Sequence, residues 1–112
     1  MAAPFHGYLE THGDKIAVVP EGDVDVRSAP EFQELISEAE QSRPAAVIID
    51  LRGLTFLDST GVHLLLRARD RAQSSGYRLV LIRGPETVQH TLDVLNVSKL
   101  FEWAADPALV DS

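Results

Sequence analysis

The chain has 112 residues, of which 45% are hydrophobic and 24% charged, and its formal net charge is -7. This length and composition predict one globular domain, residues 1–112, with a core of its own. The acidic balance argues against direct nucleic-acid binding, which depends on clustered Lys and Arg, and the lack of cysteine excludes disulfides and thiolate chemistry. We expect no membrane insertion and a cytoplasmic location, because no apolar run approaches the ~20 residues of a membrane span and no signal peptide is visible.

The first third of the chain predicts a hairpin followed by a helix. Two strand-like stretches, Tyr8–His12 and Lys15–Gly22, flank the turn signal Gly-Asp at 13–14. Ser28 and Glu31 form a candidate capping box, with Pro30 in the first turn. The helix that follows has apolar residues at helical spacing and should end near residue 42: Phe32, Leu35, Ile36 and Ala39.

The middle of the chain predicts a buried strand, a loop and a second helix. The unbroken apolar run Ala45–Leu51 is typical of a strand covered on both faces. The segment RGLTFLDSTG follows it and is interpreted as a loop. The helix should then run from about Ser59 to Ser74 and stop at Ser75-Gly76, with its apolar side formed by Val62, Leu65, Leu66, Ala68 and Ala72.

The last third predicts a strand, a helix and a short final strand. The strand is Tyr77–Ile82, and the helix has Val88, Leu92 and Leu95 on one face, with Asn96 as the residue that ends it. Leu100–Trp103 is predicted as the last strand. The order of elements indicates an α/β fold, a mixed and mostly parallel sheet of four to five strands packed against three to four helices.

The tetrapeptide Asp58-Ser59-Thr60-Gly61 lies where the second helix begins, beyond the carboxyl end of a strand, where ligand sites of such sheets tend to occur. Asp58 is a natural N-cap. Ser59 would project from the first turn, as an ordinary capping serine or as a phosphate acceptor. Glycine inside a helix costs about 0.5 to 1 kcal/mol against alanine, so we expect the bare Cα of Gly61 to let another backbone or a bulky phosphate donor approach Ser59 closely.

The segment VIIDLRGLTFLDSTGVHLLLRA resembles the signature of the STAS family, specifically the stand-alone bacterial anti-sigma factor antagonists. Their Asp-Ser-Ser/Thr-Gly motif follows a V-x-x-D-L strand and opens a helix. The similarity extends from VVPEGDVDVRSA, which resembles the family's Gly-Glu-Leu-Asp segment, to LDVLNVSKLFEWAAD near the end of the chain. Asp25 and Asp58 fall on the acidic positions of the two motifs.

The resemblance implies a non-enzymatic regulator without a cofactor or a metal. Its partners would be an anti-sigma factor that is also a serine kinase, which phosphorylates Ser59, and a PP2C-type phosphatase that acts on phospho-Ser59. The unmodified protein would bind the anti-sigma factor and so free a sigma factor. The expected partner-binding residues are Asp25, Asp58, Ser59, Thr60 and Gly61.

Other interpretations remain open for the same residues. Asp58 and Asp25 could serve only as a cap and a turn former, and Thr60 could be a second phosphate acceptor or a structural residue of the first turn. His63 could share a helix face with Ser59 and suggests a Ser-His-Asp hydrolase, although a base on the same helix is poorly placed for a triad. His6, His12, His63 and His90 lack the spacing of metal ligands.

Two further interpretations concern the whole domain. It could be a STAS docking subunit of another assembly, such as a stressosome-type scaffold or a partner of a lipid transporter, without a phosphorylation switch. It could also bind a nucleotide at a helix N-terminus, although no Walker or dinucleotide glycine pattern is present.

Overall fold

Six strands and three α-helices alternate along residues 3–110, the part of the chain that the computed structural model describes. In chain order they are β1 (His6–His12), β2 (Lys15–Val24), α1 (Ala29–Gln41), β3 (Ala46–Asp50), β4 (Leu54–Leu57), α2 (Ser59–Ser75), β5 (Arg78–Ile82), α3 (Glu86–Val94) and β6 (Glu102–Ala104). Three short 3-10 turns lie between or after them, at Leu51–Gly53, Ser98–Leu100 and Pro107–Leu109.

The strands form one mixed sheet in the order β1-β2-β3-β5-β6. The hairpin β1-β2 is antiparallel, and the pairs β2-β3, β3-β5 and β5-β6 are parallel. Helices connect the parallel strands, as right-handed crossovers require. The predicted α/β class, with a mostly parallel sheet packed against helices, is confirmed.

Strand β4 corrects the prediction of a single loop between β3 and α2. It pairs in parallel with the last residues of β2, Gly22–Val24, and the register shifts between Gly22 and Asp23. Leu54 and Leu57 are buried and the two residues between them are exposed, so the strand lacks the alternating pattern by which strands are recognised. Its partner lies some thirty residues earlier in the chain, and the sheet therefore has one strand more than expected.

The core lies on both faces of the sheet. The larger cluster joins the helices to one face and includes Val18, Val47, Ile49, Leu79 and Leu81. A smaller cluster on the opposite face consists of Ala17, Val19, Ile48, Val80, Ile82 and Val110. Every residue of β3 is buried, which confirms the prediction of a strand covered on both faces.

The ends of the later elements agree with the sequence in most places. Gly76 (φ 79°) ends α2, and Asn96 (φ 59°) lies in the left-handed conformation after α3, as predicted. Leu95 is 45% exposed rather than part of the buried face, because α3 has already ended at Val94. The last strand is Glu102–Ala104, two residues later than predicted at its start, because residues Ser98–Leu100 form a 3-10 turn.

Among residues 3–110, no helix combines the length and the apolar character that crossing a bilayer requires.

Candidate functional site

The candidate site lies at the carboxyl ends of β2 and β4, which are paired strands of the sheet. The Asp58 N–H donates to the Val24 carbonyl at 3.2 Å, which extends the β2-β4 ladder by one bond beyond the strands. Asp25 follows Val24, so the pairing brings Asp25 alongside the start of α2. Two predicted site residues that are 33 positions apart in the sequence therefore lie on neighbouring segments.

Asp58 is the N-cap of α2, as the sequence predicts. Its backbone is extended (φ -100°, ψ -175°), and its carboxylate accepts the Gly61 N–H at 3.2 Å. The Val62 N–H donates to the Asp58 carbonyl at 3.1 Å, which closes the first turn. This cap satisfies one of the free N–H groups at the helix start and places a negative charge at the positive end of the helix dipole.

Ser59 and Thr60 are the first two residues of α2. Ser59 is exposed and Thr60 is half-buried. Within residues 3–110, neither hydroxyl forms a hydrogen bond to another protein group. Asp58, not Ser59, therefore caps the helix, and the Ser59 hydroxyl is free to react or to contact another molecule at the positive end of the dipole.

Gly61 has a different role from the one expected. It is buried on the inner side of α2, and a Cβ atom at this position would lie 2.4 Å from Leu57 Cδ1 and 2.7 Å from Val24 Cγ1. The missing side chain therefore lets the helix approach the ends of β2 and β4. The expectation that it gives another molecule access to Ser59 is wrong, because the bare Cα faces the core.

Asp25 organises the turn between β2 and α1. Its Oδ1 accepts the N–H groups of Arg27 (2.9 Å) and Ser28 (3.2 Å), and the Ala29 N–H donates to its carbonyl at 2.9 Å. Slight desolvation opposes the charged form, but these two N–H groups and the Arg27 guanidinium hold the pKa of the Asp25 carboxyl below its usual value. The carboxylate is therefore charged at neutral pH and locally anchored.

The predicted capping box at Ser28 and Glu31 does not form. Ser28 makes no side-chain bond to the helix. Its hydroxyl donates to the Asp23 carbonyl at 2.8 Å and accepts the Asp25 N–H at 3.0 Å. Instead, the Asp25 carboxylate accepts the N–H groups of Arg27 and Ser28, just before the helix begins. The sequence pattern alone did not distinguish this arrangement from a capping box.

Asp23 and Ala3 border the site, although the sequence analysis did not single them out as such. The Asp23 carboxylate accepts the Thr55 hydroxyl and, at 3.0 Å, the Ala3 N–H. The Asp23 N–H in turn donates to the Ala3 carbonyl at 3.1 Å. Asp23, Asp25 and Asp58 together give this end of the molecule a concentration of negative charge.

Phe56 is a second feature of this surface that the sequence analysis missed. It lies on β4, three residues before Ser59, and 48% of it is exposed. The sequence contained one signal for this exposure, the spacing of Leu54 and Leu57. Both leucines are buried, and the two residues between them are exposed to solvent.

The structure does not assemble the alternative hydrolase site. His63 is exposed on α2, and the Asp58 carboxylate binds the Gly61 N–H rather than an imidazole. No hydrogen bond connects His63 to Ser59 within the described residues. The same part of the chain contains no group of three or more His, Cys, Asp or Glu side chains able to hold a metal ion.

Known proteins resemble the chain in sequence and in structure. The family model for the STAS domain matches residues 8–109. RsfB of Mycobacterium tuberculosis, named an anti-sigma-F factor antagonist, is 29% identical over 80 residues, a match that covers 71% of this chain and 65% of RsfB. The chain therefore aligns with slightly less than two thirds of that relative's length.

Solved structures agree with the fold. An anti-sigma factor antagonist from Mycobacterium paratuberculosis superposes with a TM-score of 0.79 at 21% identity, covering 93% of this chain and 88% of the other. The anti-sigma factor antagonist SpoIIAA in its unphosphorylated form gives a TM-score of 0.74 at 21% identity, covering 88% of each chain. Bacillus SpoIIAA in its phosphorylated form gives 0.67 at 21% identity, covering 88% of this chain and 91% of that one. With a family model that matches almost its whole length, the chain belongs to the STAS domain family.

Proposed function

We propose that this protein is an anti-sigma factor antagonist whose affinity for its anti-sigma factor is set by phosphorylation of Ser59. The observation that carries the proposal is the exposed, unbonded Ser59 hydroxyl in the first turn of α2, with Asp58 as the cap. A related sequence is named an anti-sigma-F factor antagonist. SpoIIAA, which has the same fold, exists in unphosphorylated and phosphorylated forms.

In the unphosphorylated state the small, neutral Ser59 docks against the anti-sigma factor, which then releases its sigma factor. The contact surface includes the start of α2, with Thr60, and the neighbouring turn at Asp25. Asp58 serves chiefly as the cap that holds the first turn, and Gly61 contributes from inside by setting the depth of α2 against the sheet.

Phosphorylation adds about -1.5 to -2 charges beside Asp58 and Asp25. The N-terminus of α2 tolerates the phosphate, so the fold changes little and the effect falls on binding. In the complex, the hydrated phosphate must lose water against a surface of the anti-sigma factor that accommodates a neutral hydroxyl. That surface already faces the carboxylates of Asp25 and Asp58. Weakening the complex a thousandfold requires only about 4 kcal/mol.

The partners of this cycle are an anti-sigma factor that acts as a serine kinase and a PP2C-type phosphatase that restores Ser59. The protein itself acts as a single, non-catalytic domain in the cytoplasm, and it contacts neither nucleic acid nor a membrane. Its net charge of -7 supports the proposal that it does not bind nucleic acid, because phosphate backbones bind basic surfaces.

The test combines phosphorylation with binding. The protein is incubated with ATP and candidate anti-sigma kinases, and intact mass with peptide mapping locates any phosphate. Dissociation constants for the anti-sigma factor are then measured for the unmodified protein, the phosphoprotein, Ser59→Ala and Ser59→Asp. Ser75→Asp, which introduces the same charge at the exposed far end of α2, is the matched control.

We expect one phosphate, on Ser59, and binding that is at least a hundredfold weaker for the phosphoprotein. Ser59→Ala should bind like the unmodified protein, Ser59→Asp more weakly, and Ser75→Asp unchanged. Equal binding by Ser59→Ala, Ser59→Asp and the phosphoprotein would contradict the switch. It would favour a STAS docking subunit of another assembly, such as a stressosome-type scaffold or a lipid-transporter partner.

A further inference from the structure

A shallow groove runs between β4 and α3. We call it the β4-α3 groove, and it is lined by Phe56, Glu86, Thr87, His90 and Thr91. Most of its lining is apolar. Phe56 is 48% exposed, and Val94 at the end of the same helix is 66% exposed.

The exposure of Phe56 has no explanation in the fold itself. Leu54 and Leu57, with 1% exposure each, already attach β4 to the core. Strand β4 also pairs with β2 through its backbone. An aromatic ring left half-open beside a groove is typical of protein interfaces, where aromatic side chains provide much of the binding energy.

The groove adjoins the proposed docking surface. Ser59 follows Phe56 by three positions, and extended chain covers at most about 10 Å over three residues. On the other side of Asp58, Val26 directly follows Asp25 and is 70% exposed. Exposed apolar side chains thus occur on both of the segments that meet at the helix cap.

The charges around the groove restrict the chemistry of what it binds. Glu86 and His90 line it, and Asp58 lies two positions after Phe56 in the chain. The chain as a whole carries a net charge of -7. A partner that inserts an apolar side chain here is complementary when Lys or Arg side chains flank that residue.

We propose that the β4-α3 groove is a second docking subsite for the anti-sigma factor, which inserts one apolar side chain flanked by basic residues. This inference rests on the proposed function, because it assigns the groove to the same partner. The groove supplies affinity that does not depend on the state of Ser59, whereas Ser59 supplies the switch. Interface contacts made by residues that do not touch each other or a common neighbour contribute nearly independently.

The experiment measures the dissociation constant for the anti-sigma factor, with and without the phosphate on Ser59. Phe56→Ala removes the exposed ring, and Thr87→Lys fills the groove from α3 with a bulky cation. The matched controls are Tyr8→Ala, which removes a ring that is 42% exposed on β1, and Gln73→Lys, which places the same cation at an exposed position of α2. Thermal unfolding of each variant verifies the fold.

We expect Phe56→Ala and Thr87→Lys to weaken binding of the unphosphorylated protein about tenfold to a hundredfold. Tyr8→Ala and Gln73→Lys should stay within about twofold. The ratio between phosphorylated and unphosphorylated affinities should be the same in Phe56→Ala as in the wild type.

The outcomes separate the two proposals. Wild-type affinity in Phe56→Ala and Thr87→Lys, with phosphorylation of Ser59 still weakening the complex, overturns the groove and leaves the switch intact. Self-association of the wild type that both groove variants abolish, with binding to the anti-sigma factor unchanged, assigns the groove to a second copy of this chain and also overturns the inference. No binding by the wild type to any anti-sigma factor overturns the proposed function, and the groove assignment with it.

Discussion

Replacing Gly61 by alanine sets two opposing effects against each other inside α2. Helix propensity favours alanine over glycine by about 1 kcal/mol in a helix interior. Packing opposes it, because the added Cβ would lie 2.4 Å from Leu57 Cδ1 and 2.7 Å from Val24 Cγ1. Leu57 is 1% exposed and Val24 0%, so neither side chain can turn out into solvent.

The magnitude follows from the two terms. An extra methyl group in a filled core costs about 1 to 3 kcal/mol through displaced side chains and backbone. Two contacts that are each shorter than ordinary van der Waals distance place this site in the upper part of that range. After the gain in helix propensity, we expect Gly61→Ala to lower the free energy of unfolding by about 1 to 2 kcal/mol.

The assay is urea unfolding, in which a shift of the midpoint at constant slope reports a change of stability. Gln73→Ala, an exposed position in the same helix, is the control that changes local propensity without adding atoms to the core. It should stay within about 0.5 kcal/mol of the wild type. An increase of stability in Gly61→Ala would contradict this reasoning. It would mean that the gain in helix propensity exceeds the cost of the close contacts with Val24 and Leu57.

Two further predictions concern ionisable groups other than the phosphate acceptor. The carboxyl of Asp25 has a pKa below its usual value in the folded protein, so its charged form stabilises the fold above about pH 4 and this contribution is lost as the pH falls through the folded pKa. Urea unfolding of Asp25→Ala should therefore show a deficit against the wild type at pH 7 that shrinks in acid, and a deficit that is independent of pH would contradict the role of the carboxylate. The pKa of Tyr77 is raised by burial and by the Glu40 carboxylate, which accepts a hydrogen bond from the Tyr77 hydroxyl, so its absorbance titration should lie well above pH 10 and move downward in Glu40→Gln. A Tyr77 titration that is unchanged by Glu40→Gln would show that burial alone raises this pKa.

Much of the fold was predictable because the signals are local. The hairpin at residues 13–14, the apolar periodicity of the three helices and the left-handed stops at Gly76 and Asn96 depend on residues within one or two turns of each other. Asp58 was recognisable as a cap for the same reason, since its partner is the Gly61 N–H three residues on. The family resemblance in the Asp-Ser-Thr-Gly motif, and with it Ser59 as a candidate acceptor, also lies within a short segment.

Other features depend on contacts between distant parts of the chain. Strand β4 is four residues long and exists because β2 offers it a parallel edge. Asp25, predicted near the site from the resemblance alone, reaches Asp58 through that same pairing. The Ser28 hydroxyl bonds the Asp23 carbonyl, and the Ser28 N–H bonds the Asp25 carboxylate; both bonds depend on where β2 ends, which a capping pattern does not contain.

The sequence by itself determined the three helices with their approximate limits, the order of every strand except β4, and the motif that carries Ser59, because these depend on short-range patterns. Only the tertiary structure decided that Gly61 serves the core, that Phe56 stays exposed beside α3, and that Asp25 borders the start of α2. Each of these depends on atoms brought close by strand pairing and helix packing. Such contacts become visible only when the whole chain is folded, because they are set by the positions of β2 and β4 relative to the helices and not by neighbours in the sequence.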